Sequence, residues 1–138
     1  MLKRIPLIIS PKLMYMLMKT GHGDEILLAD SNYPAESKGI PVVRADGLGI
    51  PQLLEAILDL LPLDTFVEEN VTFMDNGKEE KPNIWKDYKR ILKEKVKDSK
   101  IAVIERYEFY KRADNVFFII ATGERALYAS IILKKGVV

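Results

Sequence analysis

One short segment carries the residues best suited to proton transfer. His22 is the sole histidine, glycines flank it on both sides, and Asp30 follows eight residues later. A free imidazole has a pKa of about 6.5, so it can both give and take a proton near neutral pH. Flanking glycines let the backbone turn tightly and leave the ring unpacked by its sequence neighbours. The segment therefore indicates general acid/base chemistry in an exposed or cleft-lining position.

These residues also have ordinary structural interpretations. His22 fits a surface or helix-terminal histidine, Asp30 fits a turn carboxylate after a strand, and Arg106 fits a solvated surface charge. If the chain between His22 and Asp30 is extended, the two residues are about 26 Å apart. Either the chain bends sharply at Gly23 and after Asp30, or Asp30 meets a histidine from elsewhere, such as a neighbouring subunit.

The composition narrows the chemistry further. The chain has no cysteine, which excludes disulfides, a thiolate nucleophile and a cysteine-bound zinc or iron–sulfur site. A single histidine is a poor basis for zinc, so we predict no metal. Twenty-one basic and 20 acidic residues leave a formal charge of +1, which argues against nucleic acid or an anionic membrane as partner. Neither a dinucleotide fingerprint, a phosphate loop nor a Gly-x-Ser-x-Gly nucleophile is present, and we predict no cofactor.

The length and hydropathy predict one domain over residues 1–138. The chain is 48% hydrophobic and 30% charged, as expected for a soluble globular protein with a sizeable core. Its longest run without a charge, residues 115–123, is about half the length of a membrane-spanning helix. The N-terminus lacks the cleavage pattern of a signal peptide. We therefore expect a cytoplasmic protein that does not enter the membrane.

Apolar spacing and capping residues predict helices that alternate with strands. Helices are expected between the N-cap Ser10 and Gly21 and over residues 50–61, 83–96 and 107–113. Strands are expected over residues 25–30, 41–45, 71–73, 101–104, 116–121 and 128–133. This order predicts a single-domain α/β fold, a layered sheet with flanking helices. In such folds functional groups gather at strand ends and in loops.

Six segments, in this order, resemble the L-fucose mutarotase family, within the broader group that includes D-ribose pyranase. They are residues 21–25, Asp30 and residues 44–47, 106–110, 122–125 and 128–136. The resemblance covers essentially the whole chain. The glycine after His22 and the Arg-Ala-Asp-Gly sequence at residues 44–47 favour the fucose branch over the ribose branch.

The resemblance implies an α/β fold, a mutarotase activity without cofactor, and a ring-shaped decamer with active sites near subunit boundaries. It implies a catalytic role for His22 and substrate binding by Asp30, Arg106, Tyr128, Ala129 and Ser130. Ser130 stands where the family has asparagine. A hydroxyl is shorter and lacks the paired donor and acceptor of an amide, so this position bears on sugar preference.

The resulting hypothesis is an isomerase that interconverts the α and β anomers of L-fucose through ring opening. His22 would donate a proton to the ring oxygen, and the base would be Asp30, Tyr128 or water. The alternatives are a D-ribose pyranase-type activity, a non-catalytic sugar-binding or transport-accessory protein, and a structural ring scaffold. Pocket geometry, rather than residue types, decides which sugar fits.

Overall fold

Four helices and six strands make up the computed structural model, which describes residues 1–138. The helices are α1 (Pro11–Lys19), α2 (Ile50–Leu58), α3 (Ile84–Lys95) and α4 (Arg106–Ala113). The strands are β1 (Glu25–Ala29), β2 (Val42–Ala45), β3 (Val71–Met74), β4 (Ile101–Ile104), β5 (Phe118–Thr122) and β6 (Ile131–Lys134). A short 3₁₀ helix covers Ala35–Lys38.

The strands form one mixed sheet in the order β2-β5-β1-β6-β3-β4. Strand β6 is antiparallel to both of its neighbours, and all other pairs are parallel. Five strands therefore run in one direction and end at the same edge of the sheet, where β6 begins. We call this the carboxyl edge and the opposite one the amino edge.

Helices cover both faces of the sheet. In β1, Ile26 and Leu28 belong to the larger core cluster with α1, α2 and α3, whereas Leu27 and Ala29 belong to a smaller cluster with α4. Successive strand residues point to opposite faces, so a central strand buried on both faces must be apolar throughout. The three layers confirm the predicted α/β class with a single sheet.

All four predicted helices are present, and one of them ends earlier than expected. At the start of α1, the Ser10 Oγ accepts the Leu13 N–H at 3.1 Å, as the capping pattern predicts. The helix expected to reach residue 61 ends at Leu58, and turn hydrogen bonds to the Ile57 carbonyl follow. None of the four helices combines the length and hydropathy of a membrane span.

Two predicted strands start later than expected. The strand expected from residue 116 begins at Phe118, and the strand expected from residue 128 begins at Ile131. Tyr128 has a φ of 56°, in the left-handed region, which is incompatible with a β-strand. The segment from Tyr128 to Ser130 is therefore a loop at the carboxyl edge.

Apolar side chains remain exposed along the N-terminal segment and the outer face of α1. Together with partly buried neighbours they line a groove of about 800 Å³, which we call the N-terminal groove. Its most exposed members are Met1, Leu2, Leu7, Tyr15 and Met18. An exposed apolar surface of this kind is typical of a protein–protein contact.

Candidate active site

The amino edge holds a histidine–aspartate pair. The Nε2 of His22 lies 3.2 Å from the Oδ2 of Asp64. The imidazole is 48% exposed, whereas the Asp64 side chain is 4% exposed. The ring of Phe66 meets the imidazole edge-on, with 5.9 Å between centroids. The histidine is thus open to a ligand on one side and fixed on the other.

The backbone around Asp64 explains how it reaches a residue 42 positions away. Leu63 forms an isolated antiparallel bridge with Lys135, the residue directly after β6. The backbone before Asp64 therefore lies beside the end of β6. Gly136 allows this close approach, because a Cβ there would collide with the Leu63 carbonyl oxygen. The Asn70 side chain donates to the Asp64 carbonyl at 3.0 Å. The aspartate therefore sits on rigid backbone.

Hydrogen bonds keep the Asp64 carboxylate ionised. The Phe66 N–H donates to Oδ1 at 3.0 Å and lowers the pKa of Asp64, and the His22 imidazole lowers that pKa further. An ionised acceptor at Nε2 favours the imidazole tautomer with its hydrogen on Nε2. Nδ1 is then the nitrogen left free to exchange a proton with a ligand.

At the carboxyl edge, two hydrogen bonds join Asp30 and Ser130. The Ser130 hydroxyl donates to the Asp30 Oδ2 at 2.6 Å and accepts the Asp30 N–H at 2.9 Å. The second carboxylate oxygen accepts the Asn32 N–H at 2.9 Å. Ser130 is fully buried. The carboxylate therefore has a fixed orientation, and the serine hydroxyl has already given its one hydrogen to Asp30.

A cleft of about 230 Å³ lies on the same edge. It is lined by Asp75, Asn76, Gly77, Glu105, Arg106 and Tyr128. The Arg106 Nη2 donates to the Tyr107 hydroxyl at 2.8 Å, and its guanidinium lies 4.7 Å from the centroid of that ring. Carboxylates, a guanidinium and aromatic rings are groups that bind sugar hydroxyls and sugar faces.

The predicted site residues divide between the two edges. His22 lies at the amino edge, and Asp30, Arg106, Tyr128 and Ser130 lie at the carboxyl edge. Strand β1 alone separates these edges by about 16 Å. The chain does turn at Gly23, which has a φ of 85°, but the turn directs His22 toward Asp64 rather than Asp30. Within one chain the histidine and the predicted sugar-binding groups do not meet.

Sequence reasoning missed two carboxylates that the structure places at these edges. Asp64 lies between apolar elements without a motif, and only the fold brings it to His22. Asp75 directly follows β3, just as Asp30 follows β1, so the position of a carboxylate after a strand is a usable signal.

Ala129, which the resemblance implies in substrate binding, is fully buried. Its polar contact is made by the backbone, because its carbonyl oxygen accepts a hydrogen bond from the Tyr88 hydroxyl.

The chain is similar in sequence and in fold to proteins of known identity. Fucose mutarotase from Homo sapiens is 50% identical over 144 residues, which cover 99% of this chain and 94% of the human protein. The crystal structure of the fucose mutarotase from Streptococcus pneumoniae in complex with L-fucose has a TM-score of 0.94 and 47% identity, with 99% of both chains covered. RbsD from Bacillus subtilis, complexed with D-ribose, has a TM-score of 0.77 at 23% identity, covers 100% of this chain and 99% of its own, and shares the fold.

A family profile matches almost the entire sequence. The match runs from residue 3 to residue 138 and is to the RbsD / FucU transport protein family. It confirms the resemblance that the order of the sequence segments indicates. By this match and by the identities of its relatives, the chain belongs to the RbsD / FucU transport protein family.

Proposed function

We infer that this protein is an isomerase that interconverts the α and β anomers of L-fucose. The observation that carries the inference is full-length similarity, at 50% identity, to a protein named fucose mutarotase. A structural relative at 47% identity has L-fucose bound. The D-ribose complex is a relative at 23% identity, so its likeness supports a common fold rather than a common sugar.

The reaction needs proton transfers at two oxygens. A base removes the proton of the anomeric hydroxyl, an acid protonates the ring oxygen, and the bond between the anomeric carbon and the ring oxygen breaks. The open-chain aldehyde rotates and closes on its other face, which returns both protons. Positioned acids and bases typically contribute about 10²- to 10⁴-fold to such steps.

We assign the transfer at the ring oxygen to His22. Its exposed ring offers Nδ1 to the ligand while Nε2 faces Asp64. Asp64 stabilises the imidazolium that forms when His22 holds the extra proton, and it acts as a positioning residue. Asp30, Tyr128 and water remain candidates for the base. Asp30, Arg106 and Tyr128 would bind the sugar hydroxyls, and the buried Ala129 and Ser130 would hold Tyr128 and Asp30 in place.

We further propose that each complete site is shared between two protomers. The His22 pair and the Asp30 side chain lie at opposite ends of β1, so one sugar ring cannot touch both within a single chain. A homo-oligomer in which the amino edge of one protomer faces the carboxyl edge of the next joins the two halves. The exposed ring of Phe66 and the N-terminal groove offer apolar contact surface for such an assembly. Our proposed assembly is the ring-shaped decamer of the family resemblance.

Two-dimensional exchange NMR on sugar anomers tests the activity. Added protein should raise the α/β exchange rate of L-fucose by a larger factor than the exchange rates of D-ribose and D-galactose. A larger effect on D-ribose would favour the pyranase alternative. Unchanged exchange of all three sugars, with saturable binding retained, would instead support a non-catalytic sugar-binding protein.

Mixing two inactive variants tests the shared site. His22→Ala lacks the acid and Asp30→Asn lacks the sugar-binding carboxylate, so each oligomer alone should be inactive. After the two are unfolded together and refolded as mixed oligomers, about one quarter of head-to-tail interfaces combine an intact His22 with an intact Asp30. Activity should return to about one quarter of the wild-type value. No recovery in mixed oligomers that light scattering shows to have formed would place the whole site within one chain.

The cytoplasmic location is likewise proposed, on the sequence expectation alone. Fractionation of cells that express the full chain should recover it with soluble cytoplasmic markers. Recovery with membranes or in the medium would contradict it.

A further inference from the structure

A buried tyrosine reaches the carboxyl edge from the core. Tyr88 lies on the buried face of α3 and has no exposed surface. Its hydroxyl donates to the Ala129 carbonyl oxygen at 2.7 Å, which links α3 to a loop 41 residues away. On the same helix, the buried indole N–H of Trp85 has no hydrogen-bond partner. A hydrogen bond is therefore not a general feature of polar atoms on this buried face.

The carbonyl that Tyr88 holds lies at the centre of the proposed sugar-binding segment. Ala129 follows Tyr128, whose φ of 56° is unfavourable for a residue with a side chain. It precedes Ser130, which orients Asp30. A backbone in this region persists only where surrounding contacts fix it. Without Tyr88 the Ala129 carbonyl would be buried with no donor.

We propose that Tyr88 is a positioning residue for sugar binding, which acts by holding Ala129 so that Tyr128 and Ser130 stay in their binding conformation. The proposal rests on the proposed function of this edge. Tyr88 itself is fully buried and does not touch the sugar. Its hydroxyl keeps the segment formed before the ligand arrives, so binding energy is not spent on ordering it.

The surroundings keep the Tyr88 hydroxyl protonated and able to donate. Burial raises the pKa of Tyr88, and the negative charges of Glu124 and Asp30 raise it further. Glu124 also fixes the start of the same loop, since its carboxylate accepts the Ile50 N–H at 3.2 Å and the Ala126 N–H at 3.0 Å. The loop is therefore anchored near both of its ends.

The test is Tyr88→Phe, which removes the hydroxyl and keeps the ring. If the segment then occupies its binding conformation only part of the time, the apparent affinity falls by that fraction while bound complexes react as before. We expect KM for L-fucose to rise about 3- to 10-fold and kcat to change less than about twofold. A residue with a merely structural role would not separate KM from kcat in this way.

Two matched variants serve as controls. Tyr33→Phe also removes a buried phenol hydroxyl, but that hydroxyl has no partner. Ile91→Val trims the buried face of α3 and leaves the hydrogen bond between Tyr88 and Ala129 in place. Both should keep the wild-type KM when measured well below their unfolding temperatures. Amide hydrogen exchange of residues 128–130 gives a second readout, which should accelerate in Tyr88→Phe and not in the controls.

The outcomes separate this proposal from the proposed function. Wild-type protein that fails to accelerate anomer exchange would overturn the function, and amide exchange would then decide about Tyr88. If Tyr88→Phe keeps wild-type protection of residues 128–130, the positioning role is wrong, whatever the activity. In an active enzyme, an unchanged KM or a loss confined to kcat would also overturn it.

Discussion

The two ends of strand β1 are built differently. At the amino end, His22 is half exposed and its one hydrogen-bond partner is a buried carboxylate. At the carboxyl end, Asp30 is bound by a serine hydroxyl and a backbone amide, and the neighbouring segment is anchored from the core by Tyr88. One end presents a group that can exchange protons, and the other presents a rigid set of polar groups that we propose bind the sugar.

With the proposed roles, strand β1 separates the catalytic group from the binding groups. A β-strand is too stiff to bring its own ends together, so groups at its two ends meet only across a contact between protomers. Activity would then depend on assembly, because an isolated chain would bind sugar at one edge and hold its acid at the other. Variants that remove groups from one edge at a time distinguish the two roles.

The strongest test removes the acid at the amino edge. His22→Ala should lower the protein-catalysed exchange of L-fucose about 10²- to 10⁴-fold, which is the usual contribution of a positioned acid/base. Sugar affinity should stay near wild type, because the proposed binding groups lie at the other edge. Exchange NMR measures the first quantity and a titration followed by NMR the second. Undiminished exchange would remove His22 from the mechanism, and lost binding would contradict the separation of roles.

A second test leaves His22 in place and removes the charge behind it. Asp64→Asn keeps the shape and still lets the Phe66 N–H donate to an oxygen, but it no longer stabilises an imidazolium. We expect exchange to fall about 10- to 100-fold, less than in His22→Ala, with sugar affinity unchanged. Exchange NMR at saturating L-fucose measures the effect. Wild-type activity would show that the pair with Asp64 plays no part.

Asp64→Asn should also change how the free energy of unfolding depends on pH. The pKa of Asp64 is lowered in the folded protein, so its contribution to stability is full above the unfolded pKa near 3.8. That contribution is lost as pH falls through the lower folded pKa. The difference in unfolding free energy between wild type and Asp64→Asn should therefore narrow below about pH 4. Urea unfolding at pH 7, 4 and 3 measures it, and a constant difference would contradict the assignment.

The sequence predicts the layers of this fold well, because the elements follow from local chemistry. Ser10 and Pro11 define the start of α1, and the uninterrupted apolar run of β1 is typical of a strand buried on both faces. The last predicted strand exists as β6, but its predicted start at Tyr128 is wrong. Apolar and aromatic residues favour a strand, whereas tertiary contacts hold Tyr128 in a left-handed conformation.

The candidate site could be predicted only in part. His22 is identifiable as the sole histidine, and the distance to Asp30 follows from strand geometry. Asp64 could not be predicted, since nothing in its neighbours distinguishes it from a surface carboxylate. Its role depends on the bridge between Leu63 and Lys135, which joins distant parts of the chain. Ser130 was predicted to bind sugar, and its bonds to Asp30 show a contact that residue type alone does not reveal.

A smaller effect is expected from loosening the carboxyl edge. Ser130→Ala removes the donor to the Asp30 carboxylate and the acceptor of the Asp30 N–H. Leaving such groups unpaired in a buried place costs about 1–3 kcal/mol. We expect sugar affinity to fall about tenfold while kcat changes less, opposite to the Asp64→Asn pattern.

A second serine-to-alanine variant controls for the loss of a serine hydroxyl outside the proposed site. Ser37→Ala removes an exposed hydroxyl whose hydrogen bond, to the Pro34 carbonyl at 3.2 Å, involves none of the proposed site residues. It should keep wild-type affinity and rate. Equal losses in Ser130→Ala and Ser37→Ala, measured by titration and exchange NMR, would show that Ser130 does not support the binding edge.

The smallest expected effect comes from the backbone beside His22. Gly23 has a φ of 85° and Gly39 a φ of 70°, and a Cβ would meet no atom within 4 Å at either position. Alanine should therefore cost both sites a similar free energy of unfolding, about 1 kcal/mol, through strain alone. Only Gly23→Ala should also slow anomer exchange, by about two- to fivefold, because relief of that strain tilts the adjacent imidazole away from Asp64. Urea unfolding and exchange NMR on both variants measure this; equal activities would mean that catalysis tolerates movement at the amino edge.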